Sequence, residues 1–335
     1  MRVISASRRT DIPAFYSRWF LSRIRAGFCH WINPYGGQVN RVSLRPEDCV
    51  ALIFWSRNPR PLLPHLRFLH DEGYRFYFHF TINGYPRAIE SHNPPVRSTI
   101  ATFRQIAEAV SPDLIHWRYD PILLSEATPP SYHFQQFDSL AQQLEGYTRR
   151  CYFSFVDFYG KTERNLRNVA REHSLSFQRP DLEAQRRLAS QLRDIAAARG
   201  ITLYSCCNDG LVGDGIQPSH CIDLDTIANL RPDLELHLRS APTRQDCGCV
   251  ECDDIGVYDT CAFGCAYCYA TNSRRAALRR LEAHDPDDTV LWRPASLRGV
   301  DLVERERRLA GKAGPVRKTS NMQLRLFGAP KSNQG

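Results

Sequence analysis

The chain has 335 residues, a net charge of +8 from 44 Lys+Arg against 36 Asp+Glu, and twelve cysteines. That length can bury a core large enough to need no covalent staples. No apolar run approaches the roughly 20 residues of a membrane helix, and the opening MRVISASRRT lacks the apolar stretch of a signal peptide, so a cytoplasmic protein without a membrane partner is expected. In a reducing compartment twelve cysteines, nine of them between Cys206 and Cys268, read as metal ligands or catalytic thiols rather than disulfides. The cations are nearly all arginine, which suits phosphate or carboxylate partners, although a solvated arginine-rich surface has the same composition.

Short β-rich runs recur, each followed by helical spacing, which is the pattern of β-α units in a mainly parallel sheet. Six strands are predicted: Arg2 to Ser5, Val50 to Trp55, Arg75 to Thr81, Leu114 to Tyr119, Tyr152 to Asp157 and Ile201 to Ser205. Between them, Leu62, Leu63, Leu66 and Leu69 line one helix face, Ile100, Phe103, Ile106, Ala107 and Val110 a second, and Leu182, Leu188, Leu192 and Ile195 a third. Asp11 precedes Pro13 as an N-cap precedes an early helical proline, and Gly200 ends a helix. A seventh strand, Ile255 to Tyr258, leads into CAFGCAYCYA, and a helix from Asn272 to Ala283 follows. The cysteine run is therefore a βα loop.

In α/β barrels such loops open on the carboxyl end of the strands, where active sites lie. Arg8, Arg9, Thr10 and Asp11 follow the first predicted strand, Asn83 the third, and Arg118 and Asp120 mark the end of the fourth, so all would share that rim. Each alone is equally a cap or a surface ion pair; their common position makes them candidates. The expected architecture is a partial or closed (β/α) barrel over residues 1–285, a helical extension over 286–310, and a flexible basic tail over 311–335, rich in Gly, Pro, Lys, Ser and Asn.

Cys261, Cys265 and Cys268 are spaced C-x3-C-x2-C. Three thiolates in one loop can each take one iron of a 4Fe-4S cube and leave the fourth iron open for chemistry. A structural zinc knuckle is the alternative, but such sites close with a fourth ligand. A redox pair is another, and the third cysteine counts against it.

CAFGCAYC resembles the signature loop of radical S-adenosylmethionine enzymes. The resemblance implies that Cys261, Cys265 and Cys268 ligate the cluster, that Tyr267 lies beside the adenine, and that reductive cleavage of the sulfonium yields a 5'-deoxyadenosyl radical. It also implies a reductase, flavodoxin or ferredoxin as electron donor. Arg8, Arg9, Thr10, Asp11, Asn83, Arg118 and Asp120 become candidates to hold the methionine part, the ribose or the substrate, Arg118 through a bidentate carboxylate contact. In that family the loop normally follows the first strand; here six strands precede it, so a circularly permuted order is expected, with the cysteine-bearing strand beside the N-terminal one. SRRTDIPAFY, RYDPI and CGC followed by DIGVYDTC and CAYCYA together resemble an uncharacterised prokaryotic domain family, from Met1 to about Ala270. RYDPI also resembles an element of spore photoproduct lyase-like repair proteins.

Upstream, Cys206, Cys207, Cys221, Cys247 and Cys249 are candidates for an auxiliary iron-sulfur cluster or zinc site, and the resemblance to the uncharacterised family implies Cys206, Cys221, Cys247 and Cys249 as the four. Buried inert thiols are the alternative; Cys29, Cys49 and Cys151 are isolated and read as core or surface residues. In the tail, QLRLF resembles the peptide by which bacterial repair and replication proteins dock on the DNA sliding clamp, with Gln323, Leu326 and Phe327 as anchors. With that peptide, the basic charge and the likeness to lyases converge on DNA, although charge does not separate DNA from RNA. The rival functions are a nucleic-acid-binding protein with structural zinc and a two-cluster electron-transfer protein.

Overall fold

The computed structural model describes residues 1–34 and 37–310. Gln323, Leu326, Phe327 and the expected tail lie outside the described residues. Eight strands form one parallel sheet: β1 (Arg2–Ala6), β2 (Cys49–Ser56), β3 (Phe76–Thr81), β4 (Ile115–Ile122), β5 (Arg150–Phe155), β6 (Thr202–Ser205), β7 (Ile216–Pro218) and β8 (Asp253–Asp254). Their spatial order runs β8-β1-β2-β3-β4-β5-β6-β7. The last strand lies parallel beside the first, Ile4 opposite Asp253 and Ser5 opposite Asp254. Among the described residues no ladder joins β7 to β8, so the sheet is open, and closure into a barrel is not observed.

All six early predicted strands are present within a few residues. The expected strand Ile255 to Tyr258 is displaced: pairing stops at Asp254, with one further bond from the Ile255 N–H to the Ser5 carbonyl at 3.1 Å. Ten helices are described: α1 (Ile12–Phe15), α2 (Ser17–Ala26), α3 (Leu66–Asp71), α4 (Val96–Ala109), α5 (Pro130–Leu144), α6 (Gly160–His173), α7 (Leu182–Ala197), α8 (Leu224–Leu230), α9 (Arg274–Glu282) and α10 (Leu302–Ala310). Asp11 caps α1, accepting the Ala14 N–H at 2.9 Å, and Ser273 caps α9.

Because side chains alternate along a strand, each strand serves two cores. Leu52, Phe54, Phe78, Phe80, Trp117 and Phe153 pack with α2, α3, α4, α5 and α7 on one face. Leu182, expected on that buried face, opens α7 and is 41% exposed. The opposite face carries Ala51, Ile53, Tyr77 and Tyr152, against which Cys206, Cys221, Ile227 of α8 and Cys249 are packed. Aromatic and imidazole rings continue this face: Trp55 stacks on His79 at 4.3 Å and His116 on Tyr152 at 5.3 Å. Cys29, Cys49 and Cys151, left open between core and surface, are buried.

An antiparallel hairpin, Phe28–Ile32 with Val39–Ser43, flanks the sheet. The segment after α9 ties to it through the His30 N–H to the Thr289 carbonyl at 2.8 Å, and to α2 through the Trp19 indole N–H to the Asp288 carbonyl at 2.9 Å. Among the described residues no helix is long and apolar enough to cross a membrane.

Candidate metal centre

The junction between β1 and β8 is held by one carboxylate. Asp254 Oδ1 accepts from Ser7 Oγ at 2.6 Å and from the Gly256 N–H at 3.0 Å; Oδ2 accepts from the Arg8 N–H at 3.0 Å and Ser5 Oγ at 3.2 Å. Burial would raise its pKa, but the Arg9 and Arg8 guanidiniums and the hydrogen bonds hold it below the usual carboxylate range. Gly256 is required by close approach: a Cβ there would lie 2.5 Å from Ser7 Cβ. This latch launches the cysteine loop from the strand edge beside SRRTDIP.

The loop is fixed by pairing with residues 89–90. The Ala266 N–H donates to the Ile89 carbonyl at 2.9 Å, and Glu90 bridges to Cys265. Gly264 turns the loop at φ 73°, where a side chain would be strained. Burial pushes the Cys265 thiol up to about 12, opposed by Arg57, and pushes Cys261 up as well, with Cys268, Asp11 and Cys265 adding negative charge nearby. The three cysteines thus share one electrostatic neighbourhood with Asp11 and Arg57.

Tyr267 anchors a buried network. Its hydroxyl donates to Glu90 and accepts from Arg57 Nη2 at 2.5 Å and Asn83 Nδ2 at 3.0 Å. Arg57 Nη1 lies 2.8 Å from Glu90 Oε1. Burial opposes the charge on Arg57, yet Cys265, Tyr267 and Glu90 hold its guanidinium firmly protonated. Asp11 accepts from the Arg57 N–H and from Ser56 Oγ, both at 2.7 Å, and burial raises its pKa to about 6. Asp11 and Asn83, expected to face a ligand, are engaged with the protein: Asn83 also exchanges hydrogen bonds with the Asp120 backbone at 2.8 and 3.1 Å. Arg57 and Glu90 were not singled out by sequence. Arg57 was within reach, since it directly follows β2, whereas Glu90 lies in an aperiodic loop and meets a partner 177 residues away.

The remaining candidates converge elsewhere. Arg118 pairs with Asp120 at 2.5 Å, donates to Cys221 Sγ at 3.1 Å and lies 5.2 Å from the Trp55 ring centre. Arg8 approaches the same ring at 5.9 Å and donates to Cys252 Sγ at 3.6 Å. Arg9 lies over Trp31 and Tyr258. Arg9 Nη1, Thr10 Oγ1 and Trp55 Nε1 are buried without a hydrogen-bond partner, and such groups call for one.

The five upstream cysteines come together. Cys206 Sγ lies 3.8 Å from Cys207 Sγ and 3.6 Å from Cys221 Sγ. Cys207, Cys247 and Cys249 pack in the same cluster against this sheet face. Arg244, missed in sequence because no pattern marks its coil, donates to Cys206 Sγ at 3.7 Å and pairs with Asp157 at 2.6 Å. Among the described residues, however, no group of three or more His, Cys, Asp or Glu side chains is disposed to hold a metal ion as it stands.

No curated protein matches the chain. Among solved structures, a D-hydantoinase is 10% identical over 69% of this chain and 44% of its own, with a TM-score of 0.29. A GH20 catalytic module of the pneumococcal exo-β-D-N-acetylglucosaminidase StrH is 10% identical over 65% and 56%, TM-score 0.25, and a Rhizobium etli pyruvate carboxylase 16% identical over 69% and 25%, TM-score 0.21. The chain therefore spans about half or less of the length of these structures. Residues 3–270, which include both cysteine groups and the β1–β8 latch, match the model of a domain of unknown function, DUF1848, and the chain belongs to that family.

Proposed function

We propose that the chain binds a 4Fe-4S cluster through Cys261, Cys265 and Cys268, with S-adenosylmethionine at the open iron, and that it performs radical chemistry, with nucleic acid as the substrate class. The observation that carries this reading is a C-x3-C-x2-C loop whose Cys265 and Tyr267 face the guanidinium of Arg57. When bound, the cluster and the sulfonium together supply one-electron cleavage and hydrogen-atom abstraction.

The protein's own residues do the rest. Cluster ligation requires thiolates, which burial disfavours at Cys261 and Cys265; Arg57, facing them, offsets part of that cost. Glu90, Asn83 and Arg57 fix the Tyr267 hydroxyl, and so the ring that the resemblance sets beside an adenine. Arg9, Thr10 and Trp55 offer the unmet donors that a zwitterionic, hydroxyl-rich ligand would satisfy.

Protein prepared without oxygen should carry about four irons and matching sulfide on this loop. Reduction with dithionite in the presence of S-adenosylmethionine should release 5'-deoxyadenosine, and Cys261→Ala should abolish it. Full cleavage by Cys261→Ala, or a loop that takes up zinc and no iron, would overturn the reading.

A further inference from the structure

We propose that Cys206, Cys221, Cys247 and Cys249 form a separate site for a single zinc-class divalent ion, bound as a tetrathiolate, with Arg118 and Arg244 as its outer shell. The short approach of Cys206 to Cys221 favours a single ion over a second cluster. A Zn–S bond of about 2.3 Å puts tetrahedral sulfurs about 3.8 Å apart, and the Cys206 sulfur lies 3.6 Å from Cys221. A cube holds each thiolate on its own iron and spreads the sulfurs more widely. A disulfide needs a bond of about 2.05 Å, so the thiols touch without being joined.

The surroundings fit an anionic centre. Four thiolates on a divalent ion carry two net negative charges, and two guanidiniums face them: Arg118 Nη1 at 3.1 Å from Cys221 Sγ and Arg244 Nη2 at 3.7 Å from Cys206 Sγ. The Ile222 N–H points at Cys249 Sγ at 3.4 Å, and Thr243 Oγ1 lies 3.6 Å from Cys247 Sγ. Such donors to ligand atoms are the usual orienting shell of a thiolate site. The protein also accepts strain to gather the sulfurs: Cys207 sits at φ 55°, a left-handed conformation costing about 1–2 kcal/mol in a non-glycine residue.

Unmetallated, the Cys206 thiol shares hydrogen bonds with Cys207 and Cys221, and an ion must displace those protons as it binds. Cys206, Cys221 and Cys249 are buried in the core, and Cys247 reaches the ion as the other arm of C-x-C. Cys207, adjacent to Cys206 and partly exposed, is left over as the fifth thiol.

The test separates this site from the cluster loop. A chain with Cys261, Cys265 and Cys268 all changed to Ser should retain one zinc per chain and no iron, whatever becomes of S-adenosylmethionine cleavage. Zinc should be replaceable by cobalt with the visible absorption of a tetrahedral cobalt thiolate. It should survive Cys207→Ser and be lost in Cys221→Ser and Cys249→Ser. Arg118→Met, which keeps every thiol, should weaken zinc about 10–100-fold. In unaltered protein, titrating the thiols with a mercurial should release one zinc per chain, a readout that needs no variant to fold. Iron with sulfide in the triple variant, no metal after dialysis against zinc, or a mass lower by the hydrogens of a disulfide would each overturn the proposal, as would retention of zinc in Cys221→Ser.

Discussion

Replacing Asp254 with Asn should loosen the seam that launches the cysteine loop. The two backbone N–H groups it accepts, Gly256 and Arg8, fall on different carboxylate oxygens. An amide has one oxygen, so in either orientation one buried N–H faces an NH2 group and is left unpaired, costing about 1–3 kcal/mol. Loss of charge assistance to the remaining donors adds to this, for a total of about 2–4 kcal/mol. At roughly 2 °C per kcal/mol in a chain of this size, Tm should fall by about 4–8 °C. The pH dependence carries the sign: the folded pKa lies below the unfolded 3.8, so the stabilisation is present above that value and is lost as pH falls through the folded one. The wild-type advantage should thus be flat from pH 5 to 8 and shrink in stronger acid, read by thermal unfolding followed by circular dichroism. A Tm change under about 1 °C at pH 7, or an advantage that grows on acidification, would refute the reasoning. Gly256→Ala should act in the same direction, because its Cβ would drive Ser7 off the carboxylate.

Arg57→Met should cost about 3–5 kcal/mol by leaving Glu90 buried without its cation, and Glu90→Gln in the same chain should recover at least about 1 kcal/mol, measured by urea unfolding; strict additivity would show the pair to be uncoupled. Asp11 takes up a proton on folding, since its pKa rises from 3.8 to about 6. Its contribution is therefore full below pH 3.8 and falls by up to about 3 kcal/mol as pH rises to 6; metal-free wild type compared with Asp11→Asn should show this, and a pH-independent difference would contradict it. If nucleic acid is the substrate class, duplex binding should weaken linearly on a log–log plot against salt; a salt-independent affinity would remove the charge argument.

Strands with a continuous buried face, such as the run Cys49–Ser56, were legible because β-branched and aromatic residues there have few alternatives. β7, three residues long, and β8, only two, carry too little pattern to be read, and β8 was placed two residues late. The hairpin at 28–43 was missed because His30, Asn40 and Arg41 blur its alternation. At the site, cysteine spacing announced both thiol groups and a strand end announced Arg8, whereas Arg118 and Asp120, expected at the end of the fourth strand, lie within β4. What could not be read was partnership: which cysteine touches which, and that Tyr267, Glu90 and Arg57 close on one another from three distant segments.

The adjacency of the first and last strands imposes a schedule on synthesis. β1 leaves the ribosome first, yet the neighbour for one of its edges is about 250 residues behind it, a delay of roughly 12–50 s at 5–20 residues per second. Throughout that interval an open row of backbone donors and acceptors waits beside SRRTDIP, a hazard for pairing with another nascent chain. The five-thiol group is complete once Cys249 has emerged, before Asp254 can dock and before Cys268 exists, so on the proposals above the upstream thiols are available to an ion earlier than the cluster loop.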